Sequence, residues 1–298
     1  MFYRIVISLF VLLGFASAAH AQSCTGNPLA LQILGSGGPG LSKDRASTGY
    51  LLWSGNRAKI LIDAGGGTFA RFGQAEAKFT DLSMVLVSHV HPDHVSDLPA
   101  LLWSSRNDRN DVLPIAGPTG NDMYPALPVF LSRLFDEKTG AFQALGQIRA
   151  APGTNNGVVK LQAATIDVTR QDATNVFDRD GFKVTALGIP HGPVPNTAYR
   201  IESQGKSVVI STDQNVSNPR FPAFARNADL LVMHLAIGVG APNPNQASPA
   251  VVGRVAQEAG AKHLVLGHIG NFDLDKAIAE VKVAYMGPLT VEIGRAHV

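Results

Sequence analysis

His89-Val90-His91-Pro92-Asp93-His94 sets three imidazoles and one carboxylate on a single short stretch of a 298-residue chain. Neutral imidazole suits zinc at about 2.0 to 2.1 Å, and a carboxylate adds negative charge and orients a bound water. In a tight turn His89 and His91 can face one side while Asp93 and His94 face another, so one loop can serve two cations. A polar, solvated loop that happens to be rich in histidine is the competing reading. Further ligand types decide against it: His191 follows Gly188-Ile189-Pro190, Asp213 follows Ile210-Ser211-Thr212, and His268 follows Leu264-Val265-Leu266-Gly267. Each alone reads as a satisfied core or surface residue. Together with the first loop they complete a site at strand ends, where function gathers in layered α/β folds.

The elements that must position these groups are legible as short apolar runs between turn residues. Residues 31–34, 50–53 and 60–62 read as strands, the last two joined by a hairpin turn at Ser54-Gly55-Asn56. Residues 84–87 form a continuous apolar run, as expected of a strand buried on both faces, and run straight into Ser88-His89. Val95, Leu98 and Leu102 then recur at helical spacing, so the loop passes into a helix. A second block holds a hairpin about Asp180-Gly181, strands at 198–201, 208–211, 230–233 and 264–267, and a helix capped by Ser248, opened by Pro249 and ended by Gly260. Two blocks of strands, each followed by helices, predict two sheets face to face with helices outside, an α/β fold of αββα layering. No internal repeat is visible.

With 45% hydrophobic and 16% charged residues the chain can bury a full core in one domain, read as residues 22–291. Arg4, the apolar residues 5–15 and Ala19-His20-Ala21 read as a signal peptide over residues 1–21, which implies a periplasmic or secreted protein. The apolar run is shorter than the roughly 20 residues of a spanning helix, so no membrane association is expected once the leader is removed. Cys24 is the single cysteine, which rules out an intrachain disulfide. Lys and Arg number 25 against 23 Asp and Glu, with no long basic run, and no nucleic-acid partner is expected on that ground. Residues 292–298, including His297, read as a non-native tail and carry no functional weight.

The His-x-His-x-Asp-His loop, followed by His191, Asp213 and His268 at strand ends, resembles the metallo-β-lactamase superfamily from Leu31 to about Leu274. The resemblance implies two divalent metal ions, zinc first among them. His89, His91 and His191 would hold one, Asp93, His94 and His268 the other, and Asp213 would bridge. Asp63 matches an aspartate that braces such a site. A water bridging the cations, its pKa lowered from about 15.7 toward about 7, would act as the hydroxide nucleophile, oriented by Asp93.

The stretch 86–99, with Ile115-Ala116-Gly117-Pro118, Asn196-Thr197-Ala198-Tyr199-Arg200-Ile201 and Ser211-Thr212-Asp213, is similar to the branch of tRNA 3′-processing ribonucleases, cyclic phosphodiesterases and arylsulfatases. The tRNA-processing members carry a long RNA-gripping arm between the positions of His191 and Asp213, which stand close together here, so tRNA processing is not expected. Phosphodiesterases of this branch carry a histidine where Gln246 stands, and glutamine cannot protonate a leaving alkoxide. His234 resembles the histidine of a His-Glu pair but is followed by Leu235; it is the candidate proton donor, against the reading of a buried, hydrogen-bonded histidine. His263 reads as structural. Arg45 could reach an anionic substrate; Arg200 reads as an ordinary strand residue, and Trp103 and Phe72 as core. The expected substrate is a small-molecule phosphodiester or aryl sulfate ester. The alternatives are a lactone or β-lactam hydrolase and a non-catalytic metal-binding module. Related enzymes are often dimers, which makes a homodimer a further expectation.

Overall fold

The computed structural model describes residues 29–149, 157–241 and 243–291, with the backbone of 296–297. The proposed signal peptide, Cys24 and, that backbone apart, the tail at 292–298 lie outside the described residues. The first half runs β1 (Ala30–Gly35), β2 (Gly49–Ser54), β3 (Arg57–Ile62), α1 (Thr68–Gln74), β4 (Met84–Leu86), α2 (Pro92–Val95), α3 (Leu98–Ser105), β5 (Val112–Pro118), α4 (Leu127–Phe135) and β6 (Lys160–Ile166). The second runs β7 (Thr174–Arg179), β8 (Phe182–His191), β9 (Val194–Ser203), β10 (Lys206–Ile210), α5 (Phe221–Phe224), β11 (Leu230–His234), α6 (Pro249–Glu258), β12 (Leu264–Gly267), α7 (Leu274–Ala284), β13 (Leu289–Val291) and β14 (Ala296–His297).

The strands form two seven-stranded sheets, ordered β14-β1-β2-β3-β4-β5-β6 and β13-β12-β11-β10-β9-β8-β7. In the first, β1 to β3 are antiparallel and β3 to β6 parallel. The second repeats that arrangement, antiparallel from β7 to β10 and parallel from β10 to β13.

Alternation along each strand explains the layering. On β2 and β3, Tyr50, Leu52, Ile60 and Ile62 enter the core between the sheets, where Val184, Tyr199, Ile210 and Val232 meet them. Their neighbours Leu51, Trp53, Ala58 and Leu61 turn outward onto Leu102 of α3 and Leu131 of α4. The second sheet likewise buries Leu231, Met233 and Leu266 under Val252 of α6 and Val281 of α7. The strands are buried on both faces because each side packs on a different layer, and the fold is the αββα sandwich.

Both expected hairpins are present. Gly55 closes β2 on β3 at φ 56°, and Asp180 and Gly181 close β7 on β8 at φ 57° and 78°, the left-handed pair that a two-residue turn requires. The helix expected after the histidine loop is instead two short helices. Asp97, between them, turns its carboxylate to Gly67 N and Phe69 N at 2.8 and 2.9 Å, at the start of α1. The expected cap of α6 forms, with Ser248 Oγ accepting from Val251 N. Phe72 lies in the core as expected, whereas Trp103 is exposed, stacked with Arg106. Among the described residues no helix is long and apolar enough to cross a membrane.

Candidate metal centre

One edge of the sandwich receives the carboxyl ends of β3, β4, β8, β10, β11 and β12. Asp63 follows β3, the histidine loop follows β4, His191 ends β8, Asp213 follows β10, His234 ends β11 and His268 follows β12. Sharp bends deliver them: Asp63, Thr212 and His268 have φ of 56°, 51° and 50°, a left-handed backbone uncommon outside glycine.

The structure brings all seven candidate ligands together. His89, His91 and His191 offer nitrogens within 4.8 Å of one another, and so do the ligand atoms of Asp93, His94 and His268. Asp213 lies between the two sets, with Oδ2 3.5 Å from His191 Nε2 and 3.8 Å from His94 Nε2, and Oδ1 3.2 Å from His268 Nε2. Asp93 Oδ2 stands 3.2 Å from His268 Nε2 and 3.6 Å from His94 Nε2.

Partners behind the ligands fix which ring nitrogen faces inward. His94 Nδ1–H donates to Asp63 Oδ2 at 2.8 Å. His191 Nδ1–H donates to the carbonyl of Asn245 at 3.2 Å. Asp63 also accepts from Ser88 N and Ser88 Oγ, both at 2.7 Å, and that hydroxyl lies 3.0 Å from His89 Nδ1. Each of these three histidines thereby turns its Nε2 toward the cluster. The sequence reading missed Ser88, although its position one residue before His89 was the available signal. β9 holds the loop from the other sheet, with Thr197 N donating to Ser88 O and Tyr199 OH to Val87 O.

Two observations show that the cluster fits a cation. His94 Nε2 is buried and has no hydrogen-bond partner, a condition rare for a buried polar atom. Burial opposes a charge on His94, yet Asp63, Asp213 and Asp93 together outweigh it and hold its pKa at about 9, so the surroundings favour positive charge there. Burial alone would raise Asp213, but His268, the hydrogen bond from His234 and His94 keep its carboxyl well below the usual range. Burial, reinforced by His94, pushes the His89 imidazole well down, leaving it neutral and able to ligate.

His234 stands differently from the expected proton donor. It is 3% exposed. Its Nδ1–H donates to Asp213 Oδ1 at 2.6 Å, and its Nε2 accepts from Tyr50 OH at 2.8 Å. Burial, only partly opposed by Asp213, takes its pKa down to about 4. With both nitrogens engaged it braces Asp213 and does not face a leaving group, the buried, hydrogen-bonded alternative. His263 bonds Thr290 and Arg200 pairs with Glu202, both away from the cluster. Arg45 and Gln246 line a cavity that reaches His268.

A four-layer α/β sandwich with clustered imidazoles and carboxylates at one edge is the architecture of a metal-dependent hydrolase. Residues 58–269 match the family described as "Beta-lactamase superfamily domain", well over half of the chain. The chain belongs to that superfamily, on the branch that holds ribonuclease Z. It is 31% identical to a ribonuclease Z of Mycobacterium bovis strain BCG, over 68% of this chain and 69% of that protein. The metallo-beta-lactamase fold protein YhfI of Bacillus subtilis shares the fold at TM-score 0.71 and 23% identity, over 91% of this chain and 98% of that one. The short form of human tRNase Z shares it at TM-score 0.70 and 18% identity, over 90% of this chain and 98% of that one.

These relatives correct the expectation of no nucleic-acid partner, because those matched by sequence are named as ribonucleases. The expectation rested on net charge, which averages over the whole surface. Phosphate is attracted by the local field, and a metal centre supplies that field without a basic run.

Proposed function

We propose that this protein hydrolyses phosphodiesters of nucleic acid strands at a centre of two divalent cations, zinc ions in the resting protein. His89, His91 and His191 would hold one, Asp93, His94 and His268 the other, with Asp213 shared. The buried, unpartnered His94 Nε2 among three carboxylates carries the metal reading; the ribonuclease Z relatives carry the choice of bond. Bound there, the cations would neutralise phosphate charge and acidify water.

The chain's own groups do the rest. Asp93, whose Oδ2 lies 3.2 Å from His268 Nε2, takes the hydrogen bond of the attacking water on its carboxylate. Asp63, Ser88, Asn245 and His234 keep the ligating side chains fixed, so little reorganisation accompanies the reaction. Beside His268 the cavity offers Gln246, which has no proton to transfer. The hairpin from His191 to Val194 is a tight turn, with His191 and Val194 paired in register, and provides no arm to grip a folded RNA. The tight turn favours short single-stranded substrates, and Gln246 favours leaving groups that depart without a proton from the protein.

The test sets bis(p-nitrophenyl) phosphate and a short single-stranded RNA against p-nitrophenyl sulfate, a lactone and nitrocefin, with the zinc-loaded protein and Asp93→Ala as control. Hydrolysis of both phosphodiesters, lost in Asp93→Ala, is the expected result. Turnover confined to the sulfate, lactone or β-lactam would overturn the reading.

A further inference from the structure

The mechanism leaves unused a cavity of about 280 Å³ on the His268 side of the metal centre. That size is near the lower end of ligand pockets, about 300 to 1,000 Å³, room for one small group and not for a length of strand. Its floor is the loop between β1 and β2, which lies hard against the site: a Cβ on Gly38 would come within 2.6 Å of the His268 ring. Leu41, fully exposed on the same loop, and Ile237 give it an apolar side.

Two polar side chains in its wall have nothing to bind. Neither the guanidinium of Arg45 nor the amide of Gln246 makes a hydrogen bond or ion pair with the described residues. Arg45 Nε and Gln246 Oε1 are buried and unpartnered. Buried polar atoms are nearly always paired, so two orphans in one small cavity call for an explanation. Arg45 is a donor without an acceptor and Gln246 Oε1 an acceptor without a donor. The missing partner therefore presents a carbonyl oxygen and an N–H, together with a flat apolar body to lie on Leu41 and Ile237.

We propose that this cavity is the pocket for the nucleoside joined to the scissile phosphate on the His268 side, with Arg45 and Gln246 reading the C=O and N–H groups of a base such as uracil or guanine. The proposal rests on the phosphodiester reading above and names the group that sits beside the bond. Arg45 and Gln246 then set specificity for the nucleoside, while the metal ligands act on the phosphate common to all such substrates.

Calorimetric titration of the purified zinc-loaded protein with uridine and guanosine 5′-monophosphates, against inorganic phosphate, tests it. The nucleotides are expected to bind about tenfold tighter than phosphate or better, an advantage of the size one charge-assisted hydrogen bond supplies. Arg45→Ala and Gln246→Leu, each checked for native circular dichroism, should each erase most of that advantage. Should Arg45→Ala fail to fold, Gln246→Leu carries the test. Equal affinity for nucleotide and phosphate in the wild type, or an advantage that survives in the folded variants, overturns the pocket. The two readings fail separately: an absence of phosphodiester turnover removes the reaction, and hydrolysis without nucleotide preference removes the pocket.

Discussion

Ser88 carries more of the site than its size suggests. Its hydroxyl and amide tie Asp63 to the loop, and through Asp63 it reaches the ring of His94 while lying against that of His89. Ser88→Ala should therefore weaken metal binding by about 10- to 100-fold, the usual effect of removing a partner behind a ligand, while leaving the fold intact. Competition with a chromogenic chelator reads this directly, and unchanged affinity would show that Asp63 alone positions the two rings. The leaving-group side gives a second prediction. The cavity wall on that side holds Gln246, an amide that cannot transfer a proton to a leaving oxygen. Rates on a series of aryl phosphodiesters should fall steeply as the leaving-group pKa rises. A shallow dependence would reveal a proton donor that the geometry does not show.

The close fit between elements is itself a constraint on the site. Gly65, just beyond β3, lets the chain pass under α2: a Cβ there would meet the carbonyl oxygen of Asp93 at 1.9 Å, too close for backbone to yield cheaply. Ala64 N and Thr48 N meanwhile bond the carbonyls of His94 and Asp93, so α2 is pinned from below at both residues. Gly65→Ala should displace α2 and cost at least about 10²-fold in activity, as misplacements near 1 Å do, with a smaller loss of thermal stability. Equal activity in that variant would mean that α2 adjusts freely. The strands that flank the site were legible because β4, β12 and the stretches 60–62 of β3 and 230–233 of β11 read as unbroken apolar runs. β5, with two prolines and a glycine in Val112–Pro118, and β6, which carries polar, exposed positions in Lys160–Ile166, lacked that signal. The division of the helix after His94 was hidden because hydrophobic spacing continues across Asp97, whose role in starting α1 is a tertiary contact with no local signature.

Over the whole molecule, the two sheets meet through a core that holds the two halves of the site at one edge, and Tyr50 links them directly, from β2 across to His234 on β11. The candidate ligands were legible in sequence because the histidine loop is dense in ligand types and follows an apolar run, and because His191, Asp213 and His268 each stand at or just beyond the end of a strand. Which ring nitrogen faces inward was not, since that depends on the Asp63 carboxylate and the Asn245 carbonyl that the fold brings behind His94 and His191. Binding confined to the folded state stabilises it, by about 2.7 kcal/mol at a hundredfold excess over Kd. Removal of metal should therefore lower the melting temperature by several degrees, restored by zinc and not by potassium; an unchanged melting curve would place the cations outside the folded site. The most direct test of the account is the metal content of the purified protein by plasma mass spectrometry, wild type beside His94→Ala. About two divalent ions per chain in the wild type and about one or fewer in the variant is the result expected of the centre described above. A wild-type protein that holds no metal, and takes up none on dialysis against zinc, would contradict it.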